Sequence, residues 1–171
     1  MDAMNYFELF GIPVTLNPDP KKLRSRFIEL SREFHPDFHM QADNAAKSGM
    51  LEKSAQINKA WKTFQDQDAT IRYVLMSKGL MAEEEKYELP PDFLMQVLEI
   101  NEQVMDGAAN DPALSGVLEE IQKEIYDPVH GIIENYSEAV HTEKELLQVK
   151  EYYYKKRYLD RIKRELAGGT V

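Results

Sequence analysis

Apolar residues recur at helical spacing along nearly the whole chain. Leu23, Phe27, Leu30 and Phe34 follow one another at intervals of 4, 3 and 4, which lines one face of a helix with 3.6 residues per turn. Asp19 can cap that helix and Pro20 suits its first position. It should stop at Phe34-His35, because Pro36 disfavours helical angles at the residue before it. Tyr6 to Phe10 reads as a short helix stopped by Gly11 and Pro13. A longer one should run from about Asp43 to Phe64, with Met50, Ile57, Trp61 and Phe64 on one face. Asp68 is the expected cap of a fourth helix that carries Ile71, Val74 and Leu75 and closes at Gly79. No segment alternates apolar and polar residues with β-branched enrichment, so the pattern predicts an all-α fold.

The second half repeats the theme. Asp92 is the expected cap of a helix from Phe93 to about Asp106. Asp111-Pro112 opens a run in which Leu114, Leu118, Ile121, Ile125, Val129, Ile132 and Tyr136 are spaced 4, 3, 4, 4, 3 and 4. This predicts one long helix that Pro128 should kink, with a split left open by the sequence. Thr142 and Glu145 form a capping-box pattern before a last helix that reaches about Ala167. Three long helices with short connections predict an antiparallel bundle. Between the halves lie the polar run Ala82-Glu83-Glu84-Glu85-Lys86 and then Pro90-Pro91, read as a linker over 80–91. The expected domains are therefore 1–79 and 92–171.

Charge sharpens this division. The chain has 171 residues, 21 Lys and Arg, 30 Asp and Glu, and a net charge of −9. Residues 1–79 carry 11 basic and 10 acidic side chains, whereas 80–171 carry 10 and 20. Such asymmetry fits two units with different partners. The acidic balance disfavours nucleic acid as the main partner, since that binding needs a basic surface. There is no cysteine, which excludes disulfides, thiolate metal sites and thiol nucleophiles. No apolar run reaches the ~20 residues of a membrane helix. The N-terminus lacks a signal-peptide pattern, so a cytoplasmic protein is expected.

The chemistry-bearing motif is His35-Pro36-Asp37 between two helices. Pro36 makes it a rigid loop that offers an imidazole and a carboxylate at a turn. By itself it is equally a plain helix connection. A metal cluster of His35, Asp37 and His39 is another reading, opposed by Pro36, which prevents the helix that would align the two imidazoles. Together with the Tyr6-Phe7-Glu8-Leu9-Phe10-Gly11 opening, the basic helix before the loop and the long helix after it, the motif resembles a J-domain. J-domains stimulate the ATPase of DnaK-type chaperones. The resemblance implies an antiparallel helical hairpin with His35, Pro36 and Asp37 at the chaperone contact. It also implies basic contacts from the preceding helix, which offers Lys21, Lys22, Arg24, Arg26 and Arg32. With Leu23 at zero on a helical wheel, Arg24 falls at ~100°, Lys21 at ~160° and Arg32 at ~180°, away from the apolar stripe. Ile28 and Phe38 stand where many J-domains carry a cation.

Gln56-Ile57-Asn58-Lys59-Ala60-Trp61-Lys62-Thr63-Phe64, Arg72-Tyr73-Val74-Leu75-Met76-Ser77-Lys78-Gly79 and Phe93-Leu94-Met95-Gln96-Val97-Leu98-Glu99-Ile100 resemble the HscB family of J-type co-chaperones in iron–sulfur cluster biogenesis. Thr70-Ile71 depart from the family's usual residues. The helix from Phe93 also has more apolar surface than one core requires. With Phe93 at zero, Val97, Ile100 and Val104 fall within ~40° of it, while Leu94, Met105 and Leu98 form a second stripe at ~100–140°. The resemblance implies that Leu94, Met95, Leu98, Glu99 and Glu102, with Tyr158 from the last helix, bind the scaffold IscU. It implies as well that the J-domain docks on the chaperone HscA. The chain would then be a monomeric adaptor, not an enzyme, with no cofactor or metal of its own. The alternative is a general J-domain co-chaperone that delivers unfolded clients through the Leu94–Met105 patch.

Overall fold

The computed structural model describes residues 5–107 and 111–168. Among these residues it has eight α-helices and no strand. They are α1 (Tyr6–Phe10), α2 (Pro20–Phe34), α3 (Asn44–Phe64), α4 (Gln67–Ser77), α5 (Pro91–Met105), α6 (Pro112–Tyr126), α7 (His130–Asn135) and α8 (Glu143–Leu166). The chain divides into two compact units. One runs to Val74 and includes Asn135–Val140; the other comprises Leu75–Glu134 and the chain from His141 onward.

In the first unit the helix starts are set by short polar side chains. Asn5 Oδ1 accepts the Phe7 N–H at 2.8 Å, Asp19 Oδ1 the Lys21 N–H at 3.0 Å and Asp43 Oδ1 the Ala46 N–H at 2.7 Å. Each satisfies a backbone donor that the first turn leaves without a partner. Gly11 ends α1 at φ 64°, a left-handed angle that glycine adopts without a Cβ penalty. α2 and α3 pack on each other, and α1 packs across both. The core joins Phe7, Phe10, Leu23, Leu30, Ile57 and Phe64, all buried. Its aromatic part is dense. Tyr6 stacks on Tyr73 at 4.4 Å, Phe7 lies 4.9 Å from Phe64, and Phe10 meets Phe64 edge-on at 5.4 Å. α4 is capped not by Asp68 but by Asp66, whose Oδ1 accepts the Ala69 N–H at 2.9 Å. Asp68 lies in the first turn. Thr70 is fully buried, with Oγ1 3.0 Å from the Thr63 carbonyl oxygen and 2.8 Å from that of Asp66. Its hydroxyl thereby bridges the end of α3 to the start of α4, which gives Thr70 a structural role.

In the second unit α5 and α6 pack on α8 around Phe93, Val97, Ile100, Leu114, Leu118, Ile121, Leu159 and Ile162. Three expectations are corrected here. α5 begins at Pro91 after Pro90, without a side-chain cap; Asp92 is inside the first turn, where a proline at the first position is tolerated. The long helix expected over 112–136 is broken rather than kinked. α6 ends at Tyr126, Val129 N–H donates to the Tyr126 carbonyl at 3.0 Å, and α7 starts at His130. Asp127 keeps helical angles (φ −50°, ψ −44°), so the break follows from Pro128 itself, which has no N–H to continue the ladder. The stretch expected as a linker is anchored within the second unit. Lys150 Nζ donates to the Leu80 carbonyl and to Glu85 Oε1, both at 2.7 Å. The Tyr154 hydroxyl donates to Glu85 Oε2 at 3.1 Å, and Tyr87 stacks on Tyr154 at 4.5 Å. α8 opens with the full Thr142–Glu145 capping box.

That anchor is pH-dependent. The hydrogen bond from Lys150 is the main cause that holds the Glu85 carboxyl below its ordinary value of 4.5. Burial, reinforced by the bond to Glu85, pushes the Tyr154 hydroxyl up to about 12. A lowered carboxylate stabilises the fold above its unfolded value and loses that contribution as pH falls through the folded one. A raised tyrosine stabilises it below 10 and loses the contribution as pH rises towards 12. Glu85→Gln is expected to flatten the acid limb of a urea-denaturation stability curve and to move the highest tyrosinate absorbance transition partway down towards 10. An unchanged acid limb would contradict the Lys150–Glu85 account.

Candidate functional site

Two surfaces carry the expected site residues, one in each unit. In the first, Pro36–Phe38 forms a single 3-10 turn directly after α2. Its two ends are held by backbone bonds, His35 N–H to the Ser31 carbonyl at 2.9 Å and His39 N–H to the Pro36 carbonyl at 3.0 Å. Inside the turn the Asp37 N–H donates to His35 Nδ1 at 3.2 Å. Nδ1 is therefore the acceptor, and in the neutral ring the proton sits on Nε2. The Asp37 carboxylate lies 3.6 Å from Nδ1 and is 85% exposed. Proline thus fixes the turn, histidine is oriented by the backbone it precedes, and the aspartate charge stays in solvent. Phe38 meets the His35 ring edge-on at 5.9 Å. His39 Nε2 lies 2.7 Å from the Glu33 carbonyl oxygen, so its ring is engaged with the end of α2. Among the described residues no group of three His, Asp or Glu is arranged to hold a metal.

The α2 basics separate into two kinds. Lys21, Lys22, Arg24 and Arg32 are exposed, and none makes an ion pair among the described residues. Arg26 differs. Its Nε donates to the Phe10 carbonyl at 3.0 Å and its Nη1 pairs with Glu29 at 3.1 Å. It accepts the job of closing the end of α1, where the last carbonyls have no helical partner. Sequence reasoning treats Arg26 as one more surface cation. The available signal is its position on the wheel, at ~300° from Leu23 and so on the edge of the apolar stripe.

On α5 two faces are distinct. Phe93, Val97 and Ile100 are buried in the core. Leu94, Met95 and Leu98 remain 43%, 66% and 56% exposed, and Met105 86%. Glu99 and Glu102 are exposed alongside them. An uncovered run of large apolar side chains edged by carboxylates is the composition of a partner-binding surface. Tyr158 is half-buried. Its described contacts are an edge-on one to Phe93 at 6.3 Å and the Arg161 guanidinium 4.9 Å over its ring. It reaches α5 through the core stripe, not through a described contact with Leu94 or Leu98.

Comparison with known proteins adds family information to this geometry. Residues 89–167 match the family model described as HSCB C-terminal oligomerisation domain. A protein of Vibrio cholerae serotype O1 named as a co-chaperone protein HscB homolog is 36% identical over 102 residues, which is 59% of this chain and 60% of the relative. The chain thus spans three fifths of the length of the curated relatives it matches. The human co-chaperone HscB crystal structure superposes with a TM-score of 0.74 at 26% identity, over 98% of this chain and 83% of that one. The structure of chaperone HscB from Vibrio cholerae gives 0.67 at 26% identity over 96% of both.

Arg26 provides a direct check on this division of the basic face. Arg26→Gln is expected to lower stability in urea denaturation by about 1 kcal/mol, the net worth of a lost hydrogen bond to a partly buried carbonyl. Arg24→Gln is expected to leave it within about 0.5 kcal/mol. Equal losses would mean that Arg26 is only another exposed cation.

Proposed function

We propose that the chain belongs to the HscB family of co-chaperones and that it couples the iron–sulfur scaffold IscU to the DnaK-type ATPase HscA. In this reading residues 1–79 are the chaperone-facing domain. His35, Pro36 and Asp37 enter the contact with HscA, and Lys21, Arg24 and Arg32 supply its electrostatic steering. Arg26 supports that face from behind by fixing α1. Residues 92–171 are the scaffold-binding domain. Leu94, Met95 and Leu98 supply the apolar contact, Glu99 and Glu102 the charged rim, and Tyr158 an aromatic edge. Ile28 and Phe38 make the chaperone contact less cationic than in many J-domains.

The mechanism is one of proximity and population. A protein that holds both partners raises the effective concentration of one for the other. Docking of the turn shifts HscA towards the state that hydrolyses ATP, and hydrolysis closes the chaperone on IscU. The adaptor makes and breaks no covalent bond itself, and a cluster travels as cargo of the scaffold. On this reading the chain acts in the cytoplasm. The observation that carries this reading is the presence in one chain of a braced, exposed His-Pro-Asp turn and an uncovered apolar stripe with an acidic rim.

Single-turnover ATP hydrolysis by HscA tests it. With IscU present, the chain is expected to accelerate hydrolysis on the order of tenfold, in the usual range of coupling between sites. His35→Gln should abolish the acceleration. Leu94→Ala/Leu98→Ala should weaken capture of IscU by about tenfold or more, as loss of central apolar contacts does, while acceleration without IscU persists. Equal rates for the wild-type chain and His35→Gln would refute the docking role. Capture of unfolded polypeptide in place of IscU would make the chain a general client carrier.

A further inference from the structure

The last helix carries a feature that the coupling role does not use. Arg157, Arg161 and Arg164 are spaced 4 and 3 apart, so they fall within ~60° of one another on α8. They line a groove of about 280 Å³ together with Glu85, Tyr87, Leu89, Tyr154 and Tyr158. The lysines of the same helix are mostly committed. Lys150 pairs with Glu85 at 2.7 Å, Lys155 with Glu151 at 3.9 Å and Lys156 with Asp160 at 3.1 Å, and Lys163 bonds Gln122. The three arginines pair with no carboxylate among the described residues. Glu165 stands four residues after Arg161, and Asp160 four before Arg164, yet neither is used by them. Two of the guanidiniums instead lie over rings, Arg157 5.8 Å from Tyr153 and Arg161 4.9 Å from Tyr158. Glu85, the groove's own carboxylate, is already neutralised by Lys150.

Three unpaired guanidiniums therefore converge on an aromatic groove in a half of the chain that holds 20 acids and 10 bases. Self-pairing would have been simple in such surroundings. We propose that this groove docks a short acidic segment of a protein partner, with carboxylates on the arginines and an adjacent apolar side chain against the tyrosines. Guanidinium forks fit planar carboxylates in two-bonded geometry. Arginines one turn apart are separated by about 6 Å along the helix, close to the roughly 7 Å between alternate side chains of an extended strand. The surrounding negative charge favours such a segment over nucleic acid, because a polyanion gains affinity from many phosphate contacts and would meet repulsion outside the groove. The proposal shares Tyr158 with the scaffold-binding face but does not rest on it.

Fluorescence anisotropy with the full chain and a fluorescein-labelled Glu-Leu-Glu-Tyr-Glu peptide tests the idea, with Gln-Leu-Gln-Tyr-Gln as the neutral control. The acidic peptide is expected to bind at least ~10-fold tighter than the control at low salt, an advantage that salt screens. R161Q alone should weaken it by about threefold or more, and R157Q/R161Q/R164Q should reduce it to the level of the control. K123Q, on α6 and outside the groove's lining, should leave it unchanged. Equal binding of the two peptides, or retention of the acidic one by R161Q and by the triple variant, would overturn the proposal. So would an oligouridylate of equal charge that binds more tightly and displaces the peptide. Because no scaffold is present in these mixtures, a failed IscU contact and a failed groove give separate results.

Discussion

The second unit depends on one constraint: a single helix with 3.6 residues per turn must serve a core face and an opposite polar face at once. Along α8, Leu146, Val149, Tyr152, Leu159 and Ile162 are buried, and Leu159 and Ile162 close the core against α5 and α6. Lys150 and Tyr154 reach the segment around Glu85, and Arg157, Arg161 and Arg164 line the groove beside it. Twenty-four residues of one helix, Glu143–Leu166, are enough for this division because each direction recurs every third or fourth position. The Thr142–Glu145 box sets where that helix begins.

The first unit solves a different problem, which is to hold a charged turn rigidly in water. The turn itself is small, and its stiffness comes from the covalent ring of Pro36 and the bonds at its two ends. The helices that flank it are fixed further away, where Phe7, Phe10 and Phe64 pack and Arg26 ties the end of α1 to α2. The exposed apolar stripe on α5 is the same principle in another form. Phe93, Val97 and Ile100 anchor the helix, so that Leu94, Met95 and Leu98 can remain uncovered without the helix turning to bury them.

Much of this is legible in the sequence, because amphipathic spacing, Asp-Pro starts and a proline-locked loop are local signals. The four helices of the first unit and both stripes of α5 follow from spacing alone. What escapes local reasoning is geometry set by competition between neighbours. Asp66 and Asp68 are both able to cap α4, and only the packed ends of α3 and α4 select Asp66. Pro128 within a seven-position apolar pattern permits either a bend or a break, and the missing N–H decides for a break only once the following turn has its own packing. The polar run at 82–86 has the composition of a free linker, yet Lys150, 65 residues away from Glu85, holds it. Arg26 likewise looks like its charged neighbours until the Phe10 carbonyl is placed beside it. The roles proposed for the His-Pro-Asp turn and the α5 stripe come only through resemblance, since neither spacing nor charge names a partner.

The membership of Asn135–Val140 in the first unit bears on how the chain is made. Tyr136, within that short stretch, is buried. During synthesis from the N-terminus the first unit therefore emerges without its last piece, and all of Leu75–Glu134 has to follow before that piece exists. At roughly 5–20 residues per second this is a wait of several seconds. Until then the first unit stands without the stretch that carries the buried Tyr136.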